Sequence, residues 1–305
     1  MPIYTDLALE SRELNPDIQG VTEDSEQAGR VGITRIEVTT SEAAQKLQKC
    51  MGKYITLDAP ELSSRPLDLF EEMTHTFAKE LMQFTDRLSD NATILVVGLG
   101  NRYITPDSLG PRVAEQVYVT RQITTYLPDA IDHPVRAVCA VCPGVMGVTG
   151  VETLEIVKGV VRSIQPDLVI AIDSLASRRA DRISTTLQLT DTGINPGSGI
   201  GNTRAGINSE VLGVPVLAVG VPLVVFASTI AKDTISMIAD ETGLHKDEEK
   251  LLNLAEKVIN ENIGPMIVTP KDIDSIVQDM EKIIADGMNL AFFKDNYNEV
   301  RSLIA

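Results

Sequence analysis

Tryptophan is absent from the 305-residue chain, and six Phe and six Tyr leave it only 4 % aromatic. Because 43 % of residues are hydrophobic, its core must be aliphatic, drawn from Val, Ile, Leu and Ala. Basic charge is scarce: 27 Lys and Arg stand against 43 Asp and Glu, a formal net charge of −16. That balance excludes a partner bound through a phosphate backbone, so no direct contact with nucleic acid is expected. Arg178, Arg179 and Arg182 are too few to form a basic patch. No apolar run reaches the ~18 residues of a spanning helix, and the start, MPIYTDLALESRE, lacks the basic and apolar regions of a signal peptide. Three cysteines, an odd number, point to a reducing compartment without a disulfide framework. A soluble cytoplasmic protein, with no membrane partner, is expected.

What is present reads as alternating strands and helices. Residues 1–30 are polar and irregular, the pattern of a mobile arm. Residues 32–40 alternate apolar and polar, as a half-buried strand does, with 54–57 as its partner. Leu67, Phe70, Met73, Phe77, Leu81 and Phe84 recur at helical spacing. A strand at 94–97 leads through a glycine-bearing loop into a helix expected over 108–123, with Pro111 in its first turn. Further strands are expected at 135–141, 168–172, 183–189 and 214–219, and helices at 154–164, 224–238, 248–260 and 270–288, with a last piece near 291–303. The order implies one α/β domain: a doubly wound, mostly parallel sheet with helices on both faces, an N-terminal extension and a helical C-terminal tail.

Several chemical signals fail on inspection. Gly98-Leu99-Gly100-Asn101 follows a strand, but a dinucleotide fingerprint needs glycine where Tyr103 stands. The glycine-rich loop 192–202 lacks the GK[ST] ending of a phosphate-binding loop. No cofactor is expected. Cys139 and Cys142 match CxxC but lie on a strand pattern, where buried structural thiols are the plainer reading than a redox pair at a helix start. Cys50, His75, His133 and His245 stand too far apart for a zinc site, and no histidine supports a nucleophilic triad. Two acids differ from the rest. Asp107 follows the 94–97 strand in a turn before a helix, and Asp173 ends the apolar run at 168–172. Each alone reads as a loop or helix cap. Together, at the carboxyl ends of two core strands, they read as a pair that shares a proton, one acid activating water and the other polarising a carbonyl.

The stretches 98–121 (GLGNRYITPDSLGPRVAEQVYVTR), 143–153 (PGVMGVTGVET), 166–178 (PDLVIAIDSLASR), 191–202 (DTGINPGSGIGN), 213–225 (GVPVLAVGVPLVV) and 266–280 (MIVTPKDIDSIVQDM) resemble the spore germination proteases of endospore-forming Firmicutes. The resemblance implies an endopeptidase that degrades small acid-soluble spore proteins at germination, located in the forespore and spore core. It implies an atypical aspartic mechanism, with the two proposed catalytic aspartates falling on Asp107 and Asp173. It also implies a homotetrameric zymogen that removes its own N-terminal segment. Family cleavage favours an acid at P1, a hydrophobic residue at P1′ and Ala at P2′. Thr5-Asp6-Leu7-Ala8 fits, which puts the autoprocessing bond between Asp6 and Leu7, with residues 1–6 as propeptide and 7–305 as a single peptidase domain. Ile3 departs from the acidic residue preferred at P4, and 240–265 is shorter and more acidic than in some relatives. The sheet and its GLGN loop also resemble the hydrogenase-maturation proteases, so a metal-dependent maturation protease is the alternative. A non-catalytic sporulation binding protein on the same fold is another, against which the retention of both acids counts.

Overall fold

In the computed structural model the described residues are 5–131, 133–195, 206–243, 248–262 and 266–304. The strands are β1 (Val21–Ala28), β2 (Val31–Val38), β3 (Gly52–Asp58), β4 (Thr93–Gly98), β5 (Ala137–Val141), β6 (Leu168–Ser177), β7 (Thr186–Thr190), β8 (Val216–Phe226) and β9 (Ile267–Val268). The helices of the first half are α1 (Ala8–Glu13), α2 (Ser41–Leu47), α3 (Leu67–Thr85), α4 (Leu109–Gln116), α5 (Arg121–Tyr126) and α6 (Met146–Thr149). Those of the second half are α7 (Thr153–Ile164), α8 (Ser209–Leu212), α9 (Ala227–Thr242), α10 (Glu248–Asn262), α11 (Ile273–Phe293) and α12 (Tyr297–Ile304). None of the described helices is long and apolar enough to cross a membrane.

The sheet is mixed, not mostly parallel. Its order is β1-β2-β3-β7-β8-β6-β4-β5, with β9 added on β8. Strands β5, β4, β6 and β8 run parallel, while β1, β2, β3 and β7 form an antiparallel wing and β9 also pairs antiparallel. The cause lies in the connections. Residues 178–185 between β6 and β7 hold one 3-10 turn, too short for the dozen or so residues of a parallel crossover. At the N-terminus a two-residue loop, Gly29-Arg30, closes a hairpin.

That hairpin corrects the expectation of a mobile arm. Strand β1 has no apolar alternation because every side chain in it is exposed or half-buried. Backbone pairing to β2 holds it, aided by ion pairs from Arg35 to Asp24 (3.3 Å) and Glu26 (2.8 Å). Such a charged edge discourages further strand pairing. The helix expected over 108–123 is two, α4 and α5, because Val117 turns extended (ψ 134°). Buried Asn289 satisfies the backbone groups this break releases, accepting from Tyr118 N–H (2.9 Å) and donating to the Gln116 carbonyl (3.3 Å).

Alternation along the strands sorts the core. Ile94, Val96, Ile170, Leu187 and Leu189 face α3, α4 and α11 in the main hydrophobic cluster. Leu95, Val97, Val169 and Ala171 face α7 on the other side. On that same side the wing carries its own cluster, in which Ile36, Val38 and Tyr54 meet Ala8 of α1 and Ala43 and Leu47 of α2. Buried Arg136 ties the first layer together by donating to the carbonyls of Thr85 (2.9 Å), Ala291 (3.2 Å) and Phe292 (3.4 Å), near the last turns of α3 and α11.

Candidate active site

Close packing at one glycine puts the first acid in place. Gly110 lies in the first turn of α4, where a Cβ would stand 2.2 Å from the Leu99 carbonyl oxygen and 2.4 Å from that of Ile172. Without one, α4 starts directly on the carboxyl end of β4 and the middle of β6. The 3-10 turn Thr105–Asp107 precedes it and delivers Asp107 to the same point. Asn101 N–H donates to Asp107 Oδ2 (2.8 Å). Gly100, at φ +107°, leaves room for this turn: a Cβ there would meet the Asp107 carbonyl oxygen at 2.1 Å. The glycines read from the sequence as a failed nucleotide fingerprint thus seat a carboxylate.

Asp173 lies within β6, paired with Gly220 of β8, because the strand runs on to Ser177 instead of ending at Ile172. Its carboxylate accepts from the Ser174 N–H (2.9 Å), and the residue is 7 % exposed. Burial pushes it well above the usual carboxylate range. The Asp107 charge pushes it further, Asp6 adds a weaker push, and the Ser174 N–H pulls back. Asp107 is raised too, by burial, with the Asn101 N–H opposing. Burial and a neighbouring carboxylate thus both disfavour the ionised form of Asp173.

The chain's own N-terminal segment lies against this pair. Asp6 N–H donates to the Ala176 carbonyl (2.9 Å), and Ala176 N–H donates to Asp6 Oδ2 (2.8 Å). The Asp6 carboxylate thus takes the bond a backbone carbonyl would take in a strand pair, which leaves its own carbonyl free to turn elsewhere. That carbonyl accepts from Gln188 Nε2 (3.2 Å), while Gln188 Oε1 accepts from Ala8 N–H (2.7 Å). One residue back, the Thr5 carbonyl accepts from Lys49 Nζ (2.8 Å). Burial pushes the Lys49 ammonium down, against the carboxylates of Asp6 and Glu10. Leu7 is fully buried and Ala8 nearly so. Glu10, at 1 % exposure, fastens α1 to the chain after β6: it accepts from Arg178 N–H (2.7 Å), Arg179 N–H (2.9 Å) and the Thr5 hydroxyl, with Arg182 at 3.5 Å.

A cavity of about 400 Å³ opens beside Asp6 between the two clusters of the second face, lined among others by Lys49, Tyr54, Leu175, Gln188 and Gly220. The residues proposed from sequence, Asp107, Asp173, Asp6 and Leu7, are thus brought to one place. Gln188, Lys49 and Glu10 were missed. Gln188 reads as one more polar residue beside Thr186 and Thr190 on an alternating strand, and nothing marks Lys49 or Glu10 among the chain's many ordinary charges.

Other sequence readings resolve differently. Neither CxxC thiol is buried as expected: Cys139 is half-buried and Cys142 exposed, both free, because β5 is the edge strand of the parallel side. Among the described residues no three His, Cys, Asp or Glu side chains group as a metal cage. Ile3, His245 and residues 196–202 of the glycine-rich loop lie outside the described residues, while Ile194 and Ile207 pair across the base of that loop.

Comparison with known proteins gives this geometry a family. A family model described as germination protease matches residues 3–253. The germination protease of Caldanaerobacter subterraneus subsp. tengcongensis is 44 % identical over 304 residues, covering 95 % of this chain and 94 % of that protein. That of Clostridium tetani is 40 % identical over 311 residues, 95 % of each chain. That of Bacillus subtilis is 36 % identical over 342 residues, 95 % of this chain and 93 % of that one. The chain belongs to the germination protease family.

Proposed function

We propose that this protease is a two-carboxylate endopeptidase acting on small acid-soluble spore proteins, made as a zymogen that cuts its own Asp6–Leu7 bond. Residues 1–6 are then the propeptide and 7–305 the peptidase domain, at work in the forespore and spore core. The observation that carries the reading is the pairing of Asp6 with Ala176 on β6, the strand that holds buried Asp173, with half-buried Asp107 acting on Asp173 beside it.

Asp107, ionised, takes a proton from water as the water oxygen bonds to the P1 carbonyl carbon. Asp173 gives its proton to the carbonyl oxygen as charge gathers there. When the tetrahedral centre collapses, the C–N bond breaks, Asp107 passes its proton to the leaving nitrogen, and Asp173 recovers one from the new carboxyl group. An acid at P1 is favoured because its carboxylate satisfies the Ala176 N–H and lies in the field of Lys49. The enclosed positions of Leu7 and Ala8 suit a hydrophobic P1′ and a small P2′. Exposed apolar side chains on the packed pair α9 and α10, among them Met237, Ile238, Leu251 and Leu254, support assembly of copies into the homotetramer.

The test is incubation of the full chain under acidic, partly dehydrating conditions, with and without a chelator, and mass analysis of the products. Loss of residues 1–6 that survives the chelator is expected, followed by cleavage of a small acid-soluble spore protein after Glu or Asp. Asp107→Asn and Asp173→Asn should each slow both reactions on the order of 10²–10⁴-fold or more. Full retention in Asp173→Asn refutes the two-acid assignment, and chelator-sensitive cleavage moves the chemistry to a metal.

A further inference from the structure

We infer that Gln188 is a catalytic residue of this reaction, a neutral electrophile whose side-chain amide grips both flanks of the bond being cut. The inference rests on the proposed cleavage of Asp6–Leu7. Gln188 Nε2 donates to the carbonyl oxygen of Asp6 and Gln188 Oε1 accepts from the N–H of Ala8, two residues further on. The orientation of this amide is settled by chemistry: the Ala8 N–H can only donate, so Oε1 must face it and the NH2 must face the carbonyl.

Three features make this more than a tether. Gln188 is 6 % exposed and its backbone is fixed on the central antiparallel strand β7, between Thr56 of β3 and Gly220 of β8, so the side chain reaches the segment from a rigid base. Its donor points at the oxygen on which negative charge develops when water adds, where a preformed hydrogen bond strengthens during reaction. Its acceptor holds the P2′ N–H, so the peptide cannot rotate as the carbonyl becomes tetrahedral. The pattern also divides the labour. Asp173 supplies a proton to the carbonyl oxygen, and Gln188 supplies a fixed dipole that costs no proton transfer. Docking of the segment does not depend on it, because Glu10, Lys49 and Ala176 hold the segment independently.

The experiment measures the first-order rate of self-cleavage by full-length protein, by mass, together with hydrogen exchange of the α1 amides. Gln188→Ala is expected to cleave on the order of 10²–10³-fold more slowly while α1 stays as protected as in the unaltered chain. A loss of protection in proportion to the loss of rate overturns the inference and makes Gln188 a docking residue, as does a rate within about threefold of the original. Gln188→Glu has nearly the same shape and carries the test if the alanine variant does not fold. Its carboxyl can donate to the Asp6 carbonyl only when protonated, and burial favours the protonated form, so its rate relative to the unaltered chain should climb as pH falls from neutral. A flat ratio refutes the donor role. Asp173→Asn, run alongside, separates the two claims. If that variant cleaves normally the acid-pair reading falls, while Gln188 still stands or falls on the rate of its own variant. If it is silent while Gln188→Ala is fast, only Gln188 falls.

Discussion

Glu10→Ala should release the N-terminal segment from the site without unfolding the sheet. The side chain accepts from two backbone N–H groups, those of Arg178 and Arg179, and lies 3.5 Å from Arg182. These groups are part-buried, so leaving them unpaired costs about 1–2 kcal/mol each, the lower part of the usual range, or roughly 2–4 kcal/mol together. What remains to hold the segment is the burial of Leu7, worth about 2 kcal/mol, and the hydrogen bonds from Lys49, Ala176 and Gln188. The loss therefore equals or exceeds the apolar part of what remains, and the segment leaves the sheet more readily while the other hydrogen bonds still favour the docked state. Hydrogen exchange of residues 5–14 should accelerate on the order of 10²-fold, the ratio that about 3 kcal/mol implies. The melting temperature of the domain should move little, because none of the main hydrophobic cluster is touched. Self-cleavage should slow with the fraction docked. Protection within about threefold of the unaltered chain would refute the claim that Glu10 is the anchor.

Two further outcomes follow from the acid pair. Asp173→Asn should melt higher than the unaltered chain at neutral pH, with the difference vanishing near pH 3, as followed by thermal melts across pH. The sign comes from linkage: a carboxyl whose folded pKa is raised binds more protons folded than unfolded, so its contribution is intact below the ordinary carboxylate pKa and is lost as pH rises towards the folded value. An amide carries no such penalty, and a lower melting point for Asp173→Asn at pH 7 would contradict it. Gly100→Ala should disable the site while leaving most of the fold, because its Cβ would meet the Asp107 carbonyl oxygen at 2.1 Å on a backbone at φ +107°. A loss of about 1–3 kcal/mol in stability, with cleavage falling at least tenfold through displacement of Asp107, is expected in melts and rate assays; unchanged cleavage would show that the turn adapts.

Legibility in the sequence followed the periodicity of the apolar residues. The parallel strands β4, β6 and β8 stood out as unbroken β-branched runs, since both faces of the sheet are covered there. Strand β1 did not, because VTEDSEQA is held by its ladder and by Arg35, and neither leaves a hydrophobic signature. The sequence reads as a mostly parallel sheet because strand direction depends on connection geometry, and a stretch such as 178–185 says little about that until its 3-10 turn is seen. Asp107 and Asp173 were readable because acids at the ends of apolar runs are unusual. Gln188 was not, because an amide on the polar side of an alternating strand is ordinary until something is placed opposite its two ends. Glu10 and Lys49 act across more than 40 positions of chain or against backbone atoms, contacts that no local pattern encodes.

The complete enclosure of Leu7 has a consequence for what the proposed cleavage would leave behind. Hydrolysis turns an amide nitrogen, which is content in a dry setting, into a primary amine that favours the ammonium form at neutral pH. An ammonium without water around it is a poor tenant, and removing one from solvent costs several kcal/mol. The segment that fitted the groove best as an intact chain would fit it worst as a fresh terminus, and solvation would draw it outwards. A single chemical event would then both sever the strap and eject it, so that the groove opens to other chains only in molecules that have first proved their own chemistry.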